Sequence, residues 1–311
     1  MRKVILDCDP GHDDAISIIL AASKISPLQI EAITTVAGNV EVEKNTLNAL
    51  SVCDIAGLTD VPVAQGSAKP LLKKMEIAEE IHGETGLEGP VLPGEPSKKA
   101  VHQHAVDLII NKVMESDGDI TLVPTGPLTN IALAMIREPA IIPKIKEIVL
   151  MGGGTFGNWT PAAEFNIYVD AEAAKVVFES GVPIAMFGLD VTHQALATQR
   201  TVNELSEIDN PVSHFVVNLL KFFIKTNQDV FGMEGGPIHD ACTVAYLIDP
   251  SIFDFKHVRV DIETKGEFTY GMTCIDTGGV TSREPNVNFA YQLNQDKFWS
   301  MFKEALTSYT E

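Results

Sequence analysis

Four aspartates crowd the start of the chain, in Leu6-Asp7-Cys8-Asp9-Pro10-Gly11-His12-Asp13-Asp14. Asp7 and Asp9 stand two apart at the end of an apolar run, which as a strand places both side chains on one face. Pro10-Gly11 turns the chain, and Asp13-Asp14 open a helical pattern. Carboxylates this close repel one another, and a helix N-terminus relieves only about 0.3–1 kcal/mol per charge. A hard cation held by oxygen ligands relieves far more. A solvated acidic turn with Asp13 as helix cap would account for one or two of these acids. It would not account for four at the end of a first strand.

Other segments carry weaker signals. Pro124-Thr125-Gly126-Pro127-Leu128-Thr129-Asn130 follows a second apolar run, and its prolines and glycine could free the Thr125 carbonyl for the same cation. Alone it reads as an ordinary strand–turn–helix. Gly236-Pro237-Ile238-His239-Asp240 precedes an apolar helix; Asp240 could be a plain N-cap, whereas His239 adds a titrating acid. Met151-Gly152-Gly153-Gly154-Thr155-Phe156-Gly157 contains a literal GxGxxG, but the polar NWTPAAEFN follows where a dinucleotide site needs a helix to begin. Glu164 and Asn166 in that loop offer an acceptor and a donor to sugar hydroxyls, and a solvated loop explains them equally well. The same balance holds for Asn39 in VAGN and His82 in HGETG.

The elements that must position these residues follow from the rhythm of the chain. Short apolar runs (Val4–Leu6, Ile30–Val36, Ile120–Val123, Ile148–Met151, Pro183–Phe187) alternate with helical patterns over Asp13–Ser23, Val42–Ile55, from Pro127, and Ala171–Ser180. This alternation predicts an α/β fold, an open and mostly parallel Rossmann-like sheet flanked by helices. Ligands then bind beyond the carboxyl ends of the strands. Lys69–Lys99 and Gly152–Asp170 read as long loops, a length usually functional or disordered. A small C-terminal region combines helices over Val212–Thr226, Asp240–Ile248 and Gln295–Leu306 with extended runs over Val258–Ile262, Phe268–Cys274 and Val287–Tyr291. With no repeat or linker, residues 1–311 are expected to form one domain.

Composition narrows the partners. Forty-two acidic against 23 basic residues give a formal charge of −19, which excludes a basic footprint for nucleic acid or anionic membrane. No apolar run approaches the roughly 18 residues of a membrane span. MRKVILDCDPG reaches acids before an apolar stretch can form, so no signal peptide is expected and the cytoplasm is the expected compartment. Cys8, Cys53, Cys242 and Cys274 form no CxxC pair and read as reduced core thiols.

Taken together, DCDPGHDD, VAGN, HGETGLEGP, PTGPLTN, MGGG, PAAEFNIYVD and HDAC, in this order over nearly the whole chain, resemble the nucleoside hydrolases, the inosine-uridine-preferring and pyrimidine-specific ribonucleoside hydrolases. The resemblance implies hydrolysis of the N-glycosidic bond to free base and ribose, with Ca²⁺ as cofactor. It implies Asp9, Asp14 and Asp240 as carboxylate ligands and Thr125 as a carbonyl ligand, Asp9 also taking a proton from a water activated by the ion. Asp13, Asn39, Met151, Glu164 and Asn166 would surround the ribose, and Asp7 would orient its neighbours. His239 would protonate the leaving base, with His82 in a mobile flap. Phe231, at the end of Thr226-Asn227-Gln228-Asp229-Val230-Phe231, would stack on the base; it cannot donate a hydrogen bond, which weighs against strict pyrimidine specificity. Uridine and cytidine are the expected substrates, with some inosine activity. The resemblance also implies a homodimer or homotetramer.

Two other functions fit parts of the pattern. A haloacid-dehalogenase-type phosphatase also begins with DxD, Asp7 then being the nucleophile and Asp9 the acid beside Mg²⁺, but the further acids Asp13 and Asp14 oppose a phosphate. A non-catalytic ribose- or nucleoside-binding module needs the sugar clamp without the water-activating carboxylates.

Overall fold

The apolar runs are buried on both sides and become the strands of one sheet. The computed structural model describes residues 1–92 and 94–310; Pro93, inside the Lys69–Lys99 stretch, and Glu311, the last residue of the expected domain, lie outside the described residues. The chain begins β1 (Arg2–Cys8), α1 (His12–Ala22), β2 (Leu28–Thr35), α2 (Val42–Ile55) and β3 (Val63–Gln65). A long stretch containing the short α3 (Glu79–His82) leads to α4 (Ala105–Glu115), β4 (Ile120–Pro124), α5 (Thr129–Arg137) and β5 (Ile145–Met151). Then come α6 (Phe165–Val169), α7 (Ala171–Phe178), β6 (Ile184–Phe187) and the one-turn α8 (Leu189–Thr192). The remainder is β7 (Leu196–Ala197), α9 (Gln199–Leu205), α10 (Pro211–Phe231), β8 (Gly236–Pro237), α11 (Ala241–Ile248), β9 (Phe253–Ile262), β10 (Thr273–Asp276), β11 (Val287–Leu293) and α12 (Gln295–Thr307).

The main sheet has the order β10-β9-β11-β6-β5-β4-β1-β2-β3. From β3 to β11 all neighbours are parallel, and β9 runs antiparallel to both β11 and β10. Alternation along β1 divides the core: Val4, Leu6 and Cys8 pack on the side of α1, α10 and α12, with Ile16, Val216 and Phe298. Ile5 packs on the opposite side with Ile109 of α4, Ile131 of α5 and Val177 of α7. Helices thus cover both faces, as a parallel sheet requires. Among the described residues no helix is long and apolar enough to cross a membrane.

Several elements differ from the sequence expectation. The C-terminal extended runs are not an appendage but the far edge of the main sheet. The run expected over Phe268–Cys274 is strand only from Thr273, because Thr269 N–H bonds to Gly266 O and Gly271 adopts φ 79°, folding the preceding residues into a turn. Cys274 is therefore not a core thiol: on the edge strand β10 its side chain alternates to the solvent side, while Cys8, Cys53 and Cys242 are buried. The Gly152–Asp170 loop contains α6, capped by the Glu164 carboxylate, which accepts from Asn166 N and Ile167 N. Helix α10 runs five residues beyond Thr226. Asn210 caps its start, Pro211 occupies the first turn and Gly232, at φ 66°, ends it. That extension places Asn227 and Phe231 on a helix.

Candidate active site

Asp13, Asn39, His82, Thr125, Met151, Glu164, Asn166, Phe231, His239 and Asp240, expected from the sequence, line one cleft. Asp9 and Asp14 are buried behind its lining. They come from the carboxyl ends of strands and the turns beyond them, from the first turn of α1, from α3, α6 and α10, and from the turn before α11. A concave site with several convergent polar groups suits a small ligand.

The acids form the most constrained part. Carboxylate oxygens of Asp13, Asp14 and Asp240 lie within 4.8 Å of one another. Asp240 stands where an N-cap would, yet its side chain makes no capping bond. Asp14 Oδ1 accepts from Thr125 Oγ1 (2.7 Å), and its Oδ2 accepts from Gly11 N (3.2 Å) and Asn39 Nδ2 (3.2 Å). Asp9 Oδ2 accepts from Asn39 N (2.8 Å), and Asn39 Nδ2 also donates to Asp9 O (2.9 Å). A Cβ at Gly38 or Gly126 would collide with the Asp9 carboxylate, so both turns need glycine to let it in. Asp7 lies apart: its Oδ1 accepts from Thr34 Oγ1 (2.6 Å) and Asn130 Nδ2 (2.8 Å), and its Oδ2 is buried without a hydrogen-bond partner.

Asp9, Asp13, Asp14 and Asp240 are each at most 4% exposed, and among the described residues none pairs with Lys or Arg. Burial, with the neighbouring carboxylates, holds Asp9 and Asp240 well above the ordinary carboxylate range and lifts Asp13 to about 7. Asp14 is also raised, by burial, against hydrogen bonds that pull it down. Such a cluster lacks a positive charge, and its donors are all oxygen, the set a hard cation takes. The Thr125 carbonyl accepts from Asn166 Nδ2 (2.8 Å), which leaves its second lone pair available. The residues present therefore fit such an ion.

Around this floor stand groups suited to hydroxyls. Glu164 accepts from Gly153 N (2.8 Å), Asn166 N (2.9 Å) and Ile167 N (3.2 Å); burial raises it to about 7 despite those bonds. Asn166 Nδ2 also reaches Met151 O (3.3 Å) and Sδ (3.4 Å). His239, beside Asp240, also lines the cleft, and its Nδ1 meets Thr192 Oγ1 at 2.7 Å; burial, with His193 adding to it, pushes its pKa down to about 3.

The stretch around α3 lies against the cleft. Ala78 N–H donates to Asn39 O (3.0 Å), and Trp159 Nε1 donates to Glu76 (3.0 Å). The His82 ring stacks on Phe223 (5.6 Å) and His12 (5.4 Å), and burial drives its pKa well below the usual histidine value.

Sequence reasoning missed Asn158, Trp159, Phe165, Phe223 and Asn227, which also line the cleft. Phe223, Asn227 and Phe231 are spaced by four on α10, so the helical period starting from Phe231 would have found the first two. Asn158 and Trp159 left only the signal of a tryptophan in a polar loop. Asn158, Asn227, Phe231 and His239 also border a second chamber with Gly157, His193, Met233 and Pro237. Neither chamber is lined by lysine or arginine, so neither offers the phosphate-binding lysine that a dehalogenase-type phosphatase needs.

Comparison with known proteins agrees with this geometry. The chain is 48% identical to the pyrimidine-specific ribonucleoside hydrolase RihA of Shewanella woodyi over 313 residues, 99% of each chain. It is 45% identical to the pyrimidine-specific ribonucleoside hydrolase RihB of Escherichia coli, covering 99% of this chain and 98% of that one. Among solved structures it superposes on a plant nucleoside hydrolase with TM-score 0.92 and 33% identity, covering 98% and 99% of the two chains. A purine-preferring ribonucleoside hydrolase from Gardnerella vaginalis gives TM-score 0.91 at 32% identity and 98% coverage of both. The profile of one family, described as inosine-uridine preferring nucleoside hydrolase, matches residues 4–300. An acid-floored cleft at the strand ends and a likeness that spans the chain lead to one conclusion: the protein belongs to the inosine-uridine preferring nucleoside hydrolase family and is an enzyme that hydrolyses the N-glycosidic bond of nucleosides.

Proposed function

We propose that the chain, acting as one domain, is a calcium-dependent N-ribohydrolase that prefers uridine and cytidine and accepts inosine more weakly. The observation that carries this reading is the buried, uncompensated carboxylate cluster in a cleft that His239 also lines. The likeness to pyrimidine-specific relatives at 45–48% identity supports the substrate preference. Asp9, Asp14 and Asp240 would hold the ion through their carboxylates and Thr125 through its carbonyl. Calcium bound there would neutralise the cluster and supply Lewis acidity toward water.

Breaking a ribosyl C–N bond builds positive charge on the sugar and negative charge on the base. Asp13, Asn39, Glu164, Asn166 and Met151 hold the ribose against the floor, where carboxylates stabilise the cationic sugar. Asp9 takes the proton of the attacking water, and His239, held neutral by burial, has to gain a proton when substrate is bound and then gives it to the departing base. Phe231 stacks on the base, while His82 closes the cleft from the flap. Attack from the face opposite the base inverts the anomeric carbon. A homodimer or homotetramer in the cytoplasm completes the reading, and sedimentation velocity reads the assembly.

Asp9→Asn tests the assignment. Removing the base should lower kcat on uridine by about 10²- to 10⁴-fold with KM changed little. Near wild-type turnover by this variant would overturn the role given to Asp9.

A further inference from the structure

We infer that Thr192 is the positioning residue for His239, holding the imidazole so that Nε2 faces the leaving base; this rests on the proton-donor reading of His239 given above. Thr192 is fully buried, and its Oγ1 lies 2.7 Å from His239 Nδ1. Among the described residues this is the one side-chain hydrogen bond that reaches the His239 ring. One ring nitrogen is thus committed to Thr192, and the other is left to the chambers that His239 borders.

A hydroxyl suits this task. It accepts from a protonated Nδ1 and donates to a bare one, so the hold persists whichever ring nitrogen carries the proton. A carboxylate at the same place could only accept.

Thr192 also comes from a fastened corner. At the start of α8, Leu189 N–H donates to Gly153 O (2.8 Å), and Asp190 Oδ2 accepts from Thr155 N (2.8 Å). Gln194 Nε2 donates to Asp190 O (2.8 Å) and to Tyr291 O (2.9 Å) on β11. The His193 ring stands 5.6 Å from that of His239 and limits its swing on another side. The hydroxyl is therefore carried by a segment tied to the loop after β5 and to β11, the rigid support an aimed group requires.

Thr192→Val keeps the shape and removes the hydrogen bond, and Thr192→Ser keeps the hydroxyl. Both are assayed with His239→Ala on uridine and on p-nitrophenyl riboside, whose leaving group departs without a proton. Thr192→Val should lose about 10- to 100-fold in kcat on uridine, keep KM within about threefold, and lose less than about threefold on the nitrophenyl substrate. Thr192→Ser should recover uridine turnover to within about fivefold of wild type. Equal losses on both substrates, or no loss on uridine, would overturn the inference. Thr192→Ala gives the same comparison should the valine variant fail to fold. If His239→Ala discriminates between the substrates and the Thr192 variants do not, the inference alone fails. If His239→Ala loses both equally, the donor reading fails and takes this inference with it.

Discussion

Asp13, Asp14 and Asp240 are held together out of water, with Asp9 buried beside them and no basic partner among the described residues, an arrangement that costs several kcal/mol per ion unless a cation or protons compensate. Without an ion the folded chain compensates with protons, Asp13 being raised to about 7 by burial and by Asp14. The folded form then binds more protons than the unfolded one, so the stability of ion-free protein falls as pH rises from about 4 toward 7. Calcium must displace those protons, and its apparent affinity should weaken as pH falls from about 8 to 6. Calorimetric titration of chelator-treated protein, in buffers of different ionisation heat, should show release of about one proton or more per ion at pH 7. A pH-independent affinity with no proton release would contradict the cluster's role. The crowding of these acids was legible in the sequence because Asp7, Asp9, Asp13 and Asp14 are neighbours in the chain. Their division of labour was not legible in the spacing and came only with the family resemblance, which set Asp7 apart; the fold shows Asp7 turned to Thr34 and Asn130.

Strand ends supply the site, so elements whose period is short were the easiest to read. The runs that became β1, β2, β4, β5 and β6 announce themselves by continuous apolar character. Long-range contacts left no such trace. The stretch before α4 is tied down by Asp170, whose Oδ2 accepts from Leu71 N (2.9 Å) and Thr129 Oγ1 (2.6 Å) and whose Oδ1 caps α7 at Ala173 N (3.0 Å). In the sequence Asp170 offers only a helix cap, because Leu71 lies 99 residues away. Asp170→Ala should remove a cap worth about 1 kcal/mol and strand buried donors at about 1–3 kcal/mol each. Denaturant unfolding should read a loss within that range, and proteolysis of the 66–104 segment should quicken. Unchanged stability with unchanged proteolysis would show that Asp170 does not anchor the segment. The length of α10 was also hidden, since its final turn carries polar residues and ends only at Gly232; the cleft residues Asn227 and Phe231 depend on that turn.

At the scale of the molecule, a seven-stranded parallel core with an antiparallel edge brings the segments after β1, β2, β4 and β5, the α3 stretch, the turn before α11 and helix α10 to one rim. The parallel order brings the segments that carry Asp14, Asn39, Thr125 and Met151 to one side, for every strand of the parallel core delivers its carboxyl end there. Asp240, which follows β8 of the two-stranded sheet, joins them because α11 packs on α1 and Ser17 Oγ donates to Asp240 O (3.3 Å). The alternation of elements fixed the fold class in advance, whereas the edge formed by β9 and β10 depended on pairing that no local pattern specifies. The whole assembly makes one chemical claim, that an ion held by buried carboxylates is required to split a ribonucleoside with water. The most direct test incubates the protein with uridine, cytidine, inosine, adenosine and thymidine, with and without chelator, in phosphate-free buffer. Release of uracil and free ribose that stops on chelation and returns with calcium is the predicted result. Undiminished release under full chelation, or no release from any ribonucleoside in calcium-replete buffer, would contradict it.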